Sequence, residues 1–239
     1  MTLSVLSLVQ KAARRSNLPV PASLVTTPTD FALQYLENLY LVCEDLLSRG
    51  PWPQLKKTHS FVTTTDAEYD FPHDYWTMLL DTQWDQTNRW KLRGPVTDGE
   101  FNSELYWFGP STTRTTFRIF GSKDTNPKKP FIIDPVETGL TFSFDYISSH
   151  FFSNVHGNQT SETITADTDI CLFPEMVVMA GWRYMWLDKK GQDTSAAQAL
   201  YERLISRGMN ATVGPVVSSR VPHPEDYKLF NIPEGDWNV

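Results

Sequence analysis

With 239 residues, 40% of them hydrophobic and 13% aromatic, the chain can bury one large core or two modest ones, which excludes a disordered or fibrous class. A net charge of −7 argues against a surface that grips nucleic-acid phosphates through counterion release, although an acidic wall suits a channel through which DNA must slide. No apolar run approaches the roughly 20 residues of a spanning helix, and no signal-peptide pattern opens the chain, so a soluble protein made in the cytoplasm is expected.

Leu3, Leu6 and Val9 recur at helical spacing and predict a first helix over 2–16, with Thr2 as its cap. A second is predicted to begin at Thr27, where Pro28 suits the first helical position and Asp30 completes a Thr-x-x-Asp capping box. Ala32, Leu36, Leu39, Cys43, Leu46 and Leu47 mark its buried face, and Gly50-Pro51 ends it. From Leu55 to about Thr168 the period falls to two, and 57–65, 115–121, 129–135 and 140–148 read as strands separated by Gly and Pro turns. In the last of these Phe142, Phe144 and Tyr146 line one face, with Thr141, Ser143 and Asp145 on the other. His73–Leu80 reads as a helical turn within this module, which is expected to be a small antiparallel sandwich.

Helical periodicity returns at Pro174-Glu175 and runs to Lys189-Lys190, closed by Gly191. A last helix is predicted over Gln192–Arg207, with Gly208 as its left-handed stop. The fold class is therefore α+β: helices over 1–54 and 169–212, a β module inserted over 55–168, and an extended arm over 213–239. Pro215, Pro222, Pro224 and Pro233 bar the arm from regular helix or interior strand. Yet it carries Val216, Val217, Tyr227, Leu229, Phe230, Ile232 and Trp237, apolar anchors that suit burial on a partner.

Catalytic patterns are missing. The five histidines form no HExxH and no zinc spacing with the cysteines; His150 and His156 would need to converge with Asp145 or Glu162 to hold a metal. Asp167 and Asp169 resemble a divalent-ion pair but fit turn and helix-start chemistry better, as do Asp66, Glu68 and Asp70. Cys43 and Cys171 are read as reduced, buried thiols. The tryptophans at 52, 84, 90, 107, 182 and 186 are read as core or interdomain locks, with sugar stacking as the other use. The chain is expected to be no enzyme and to need no cofactor or metal.

The order of motifs nevertheless carries a likeness. Arg49-Gly-Pro-Trp-Pro-Gln-Leu, Tyr69-Asp-Phe-Pro, Trp90-Lys-Leu-Arg-Gly-Pro, Phe117-Arg-Ile-Phe-Gly, the Pro135–Gly139 turn, Phe144-Asp-Tyr-Ile-Ser, Thr168-Asp-Ile-Cys-Leu-Phe-Pro-Glu, Gly181-Trp-Arg and Lys190-Gly-Gln-Asp together resemble the head-to-tail adaptor proteins of tailed bacteriophages. That resemblance implies a helical bundle with an inserted β-sandwich, twelve copies in a ring beneath the portal, and an arm that extends along the portal. It also implies a platform for the tail nozzle or tube and a conduit for double-stranded DNA that binds none of it specifically. The expected location is the head–tail junction of the virion, after assembly in the host cytoplasm. Glu37, Glu44 and Asp45 on the second helix are the candidate lumen-facing acids. The alternative is a carbohydrate-binding tail or decoration module, resting on the tryptophans of the β-rich middle.

Overall fold

A computed structural model describes residues 3–103, 115–119, 131–134, 137–157 and 159–210 of the chain, and it is α+β. Helix α1 (Val5–Arg15) starts at Ser4, whose hydroxyl accepts the amide of Ser7. The expected cap at Thr2 is thus displaced inward, and the reason lies in the neighbouring strand: Ser4 bridges to Ile170, and the Val5 amide bonds the Asp169 carbonyl at 2.6 Å. Helix α2 (Asp30–Arg49) likewise starts later than Thr27. The amides of Thr26 and Thr27 are taken by the Ser23 hydroxyl, and those of Leu24 and Val25 by Asp167, so these residues form a turn and Thr29 becomes the cap. Its buried face includes Tyr35, Asn38 and Val42 beside the expected Ala32, Leu39, Cys43, Leu46 and Leu47, while Leu36 is only partly covered.

Over 56–148 the described residues of the β module form two antiparallel sheets. Strand β1 (Lys56–Val62) is followed by β2 (Glu68–Tyr69), β3 (Tyr75–Met78), β4 (Trp84–Asp85) and β5 (Trp90–Lys91). A short helix α3 (Asp98–Ser103) precedes β6 (Thr116–Ile119), β7 (Phe131–Asp134) and β8 (Thr141–Ser148). One sheet runs β1-β8-β4-β5 with β3 also on β8; the other runs β2-β7-β6. The helical turn expected at His73–Leu80 is strand β3, because its backbone pairs with the end of β8, Tyr75 with Ser148 and Met78 with Tyr146. The alternation read in β8 holds for Phe142, Phe144 and Tyr146, which are buried between the sheets. Phe131 of β7 lies 5.8 Å from Phe144 of β8 and 4.9 Å from Phe117 of β6, so one aromatic cluster joins both sheets.

Strands β9 (Phe152–Ser153), β10 (Thr160–Ser161) and β11 (Ile170–Cys171) form a third small sheet that packs on the helices through Phe152 and Cys171. Helix α4 (Glu175–Lys189) then runs through the centre of the helical core, buried at six consecutive positions from Val177 to Trp182 because it touches α1, α2 and α5. Helix α5 (Ser195–Asn210) outlasts its expected end. Gly208 lies inside it, and a Cβ there would stand 3.0 Å from the Trp52 ring, so the glycine serves close packing rather than a left-handed stop. No helix among the described residues is long and apolar enough to cross a membrane.

Candidate interaction surfaces

The arm residues Val216, Val217, Tyr227, Leu229, Phe230, Ile232 and Trp237 lie outside the described residues. Of the three candidate lumen acids, Glu37 and Glu44 are exposed and stand two turns apart on one stripe of α2, with the exposed Leu41 between them. Asp45 faces α5 instead. Its carboxylate accepts the Tyr201 hydroxyl at 2.8 Å and pairs with Arg49, whose guanidinium also reaches Glu202 at 2.7 Å.

The acidic pair flagged in the sequence is spent on backbone. Asp167 caps the amides of Leu24 and Val25, and burial, which would raise its pKa, is outweighed by these donors, so it stays below the usual carboxylate range. Asp169 accepts the amides of Thr165 and Ala166. Among the described residues no group of three His, Cys, Asp or Glu side chains is placed to hold a metal ion. Cys43 and Cys171, 128 residues apart in sequence, meet with sulfurs 3.9 Å apart inside the core; burial pushes the Cys43 thiol well up.

One polar cluster has no signature in the sequence. Asp74, 7% exposed, accepts Lys57 Nζ at 2.6 Å, the Ser148 hydroxyl at 2.7 Å and the Tyr146 hydroxyl at 2.8 Å. Burial would raise its pKa, but the ammonium and the two hydroxyls outweigh it and hold the carboxyl well below the usual range. His150 is near, its ring 4.6 Å from that of His73 and its Nδ1 3.3 Å from the Thr160 hydroxyl; desolvation lowers its pKa against the pull of Asp74. The partners belong to β1 and β8, and Asp74 itself immediately precedes β3, so the carboxylate fastens three strands at one corner. Each of its bonds is a fold bond, and the pattern of strand residues alone could not show that they converge.

The tryptophans divide into two sets. Trp52 and Trp182 are fully buried, their indole N–H groups donating to the carbonyls of Leu46 and Tyr35, and Trp182 stacks on Trp186 at 5.4 Å. Trp84 and Trp90 differ from the expected locking role, being 46% and 52% exposed, and Trp76, which the sequence did not single out, is 50% exposed. Among the described residues Trp90 lies on the edge strand β5 and Trp76 on β3, which pairs with β8 alone, whereas Trp84 lies on β4 between β8 and β5. Trp107 lies outside the described residues.

Two hollows flank the end of α4. One, of about 390 Å³, is lined by Arg15, Ser16, Leu18, Arg183, Trp186 and Lys190 among others; the second, of about 380 Å³, by Leu33, Gln34, Glu37, Trp186, Lys189 and Lys190. No protein-family model and no curated protein matches the chain.

Proposed function

We propose that the chain is a head-to-tail adaptor of a tailed bacteriophage: a virion protein, free of catalysis, that forms a ring of twelve beneath the portal, completes the packaged head and offers the tail nozzle or tube a platform. The observation that carries this reading is the insertion itself. Helices α1 and α2 from one end of the chain and α4 and α5 from the other share one core, and the β module hangs between them with a separate aromatic core. Such a body can stack laterally through its helices while the module projects toward a neighbour above or below. The acidic balance suits a conduit that repels DNA, with Glu37 and Glu44 as the exposed acids of α2 available to its wall. Asp45 is left out of that role because Arg49 and Tyr201 neutralise and cover it. The arm, through Tyr227, Phe230 and Trp237 above all, docks on the portal.

The test is the mass of the assembly, alone and mixed with purified portal rings, for the parent chain and for a Tyr227→Ala, Phe230→Ala, Trp237→Ala triple variant. A ring of twelve that forms on the portal with the parent and fails with the variant is expected. No association of the parent chain with portal rings would end the reading.

A second reading, a carbohydrate-binding tail or decoration module, draws on the exposure of Trp76, Trp84 and Trp90, since half-bared indoles on a sheet offer flat faces to sugar rings. It expects glycan binding lost on Trp90→Ala. A glycan array blank at millimolar ligand would dispose of it.

A further inference from the structure

The hollow at the carboxyl ends of α1 and α4 is lined by three cations, Arg15, Arg183 and Lys190. None of its lining residues is acidic, and neither Arg15 nor Arg183 forms an ion pair with a described residue. Lys190 lies 4.8 Å above the Trp186 ring, and the buried Ser16 hydroxyl has no hydrogen-bond partner among the described residues. Helix dipoles account for Arg15 and Lys190, which sit at helix ends. They do not account for Arg183, nearly two turns before the end of α4, because the dipole's influence fades within the last turn.

The second hollow shares Trp186 and Lys190 with the first and has a largely apolar lining that includes Leu33. Basic and apolar hollows thus meet at one cation–π pair. An occupant that fits both carries carboxylates directly beside a large apolar side chain. The sequence of this chain contains one: Glu234-Gly-Asp236-Trp237, within a stretch from Leu229 to Val239 that has no lysine or arginine.

We propose that Pro233–Trp237 of the same chain docks here, with Glu234 and Asp236 toward Arg15 and Arg183 and Trp237 in the hollow beside Leu33. Glu37, which lines the apolar hollow, repels the acids and so fixes the direction. Reach permits it. The end of α5 lies against Trp52 and Val177, at the start of α4, while the basic hollow is at the other end of that helix, about 20 Å away at 1.5 Å per residue. The intervening residues 211–232 can span up to about 70 Å when extended. The inference does not rest on the adaptor reading, since it concerns the free chain.

The experiment uses the full chain with spin labels on Asp188→Cys and Asn238→Cys; the native Cys43 and Cys171 are buried and take no label. At low salt a single short, narrow distance is expected. It should be lost in Arg183→Glu, lost in the Glu234→Gln, Asp236→Asn pair, and lost near 1 M salt, where the screening length falls to about 3 Å. Arg183→Glu combined with Asp236→Arg should restore it. A broad distribution in the parent protein, or a short distance indifferent to both sets of variants, overturns the proposal. So does a short distance seen only between mixed, singly labelled copies, which would make a second chain the occupant. Should Arg183→Glu fail to fold, the acid pair alone decides, because those residues lie outside the described core.

Discussion

Tyr201 of α5 donates its hydroxyl to Asp45 of α2 across 2.8 Å, with Arg49 lying 5.8 Å from the centre of the tyrosine ring. The ring is buried, so burial and the carboxylate together push the phenol's pKa far up and favour the protonated hydroxyl that donates. The bond joins helices from opposite ends of the chain. Tyr201→Phe removes the donor and leaves the Asp45 carboxylate to Arg49 alone. A loss of about 1 kcal/mol is expected, read as a lower urea midpoint with an unchanged slope. An unchanged midpoint would show that Arg49 suffices.

Gly181 marks the closest approach of three helices. A Cβ there would stand 2.6 Å from Tyr201 and 2.9 Å from Val42, contacts no real side chain tolerates. Helix propensity alone favours alanine over glycine by about 1 kcal/mol, but the crowding is set by two buried side chains that have nowhere to move. Gly181→Ala should therefore destabilise by about 1–3 kcal/mol. A thermal melt shifted upward instead would mean that α4 and α5 separate more readily than their packing suggests.

The contrast between Gly191, which follows the end of α4 at a φ of 63°, and Gly208, inside α5, shows where the sequence is legible. Helical and strand periods are local, so α2, α4 and the Phe142-Phe144-Tyr146 face of β8 could be placed from spacing alone. A glycine that ends a helix and a glycine that admits a neighbour's ring look identical in one dimension; only Trp52, 156 positions earlier, tells them apart. Ser4 and Thr29 displaced the expected caps for a similar reason, since Asp167, Asp169 and Ile170 reach back to claim backbone groups near the amino terminus. The Asp74 corner and the Arg15-Arg183-Lys190 hollow join residues drawn from separate elements, so neither has a spacing to find. Exposure is equally hidden: Trp84 and Trp182 carry the same side chain, and only the fold leaves one bare and one buried.

Cys43 and Cys171 give a chemical test of the same core. Both thiols are buried and lie 3.9 Å apart, and burial, aided by the neighbouring thiol, holds Cys43 protonated. A thiol-specific disulfide reagent should leave both unmodified in the native protein over hours and modify both at once in denaturant. Rapid native labelling of either would mean that β11 opens away from α2 on that timescale.

The Asp74 corner makes the fold sensitive to acid. Its carboxylate pKa is depressed in the folded chain, where Lys57, Ser148 and Tyr146 outweigh the effect of burial, against an ordinary unfolded value of about 3.9. A depressed folded pKa means that the unfolded chain binds the proton more tightly. The stabilisation is therefore complete above the unfolded value and drains away as pH falls from about 5 toward the folded pKa. Asp74→Asn keeps the shape but strips the charge, leaving Lys57 without its ion-pair partner and one hydroxyl bond mismatched, for a loss of about 3 kcal/mol at neutral pH. The deficit should shrink as the solution is acidified, since the parent protein loses the same stabilisation, so the two stability curves converge below pH 3.9 or so. Denaturant titrations of both proteins between neutrality and pH 3 check this directly. Parallel curves over that range would show that Asp74 is not the group through which acid acts.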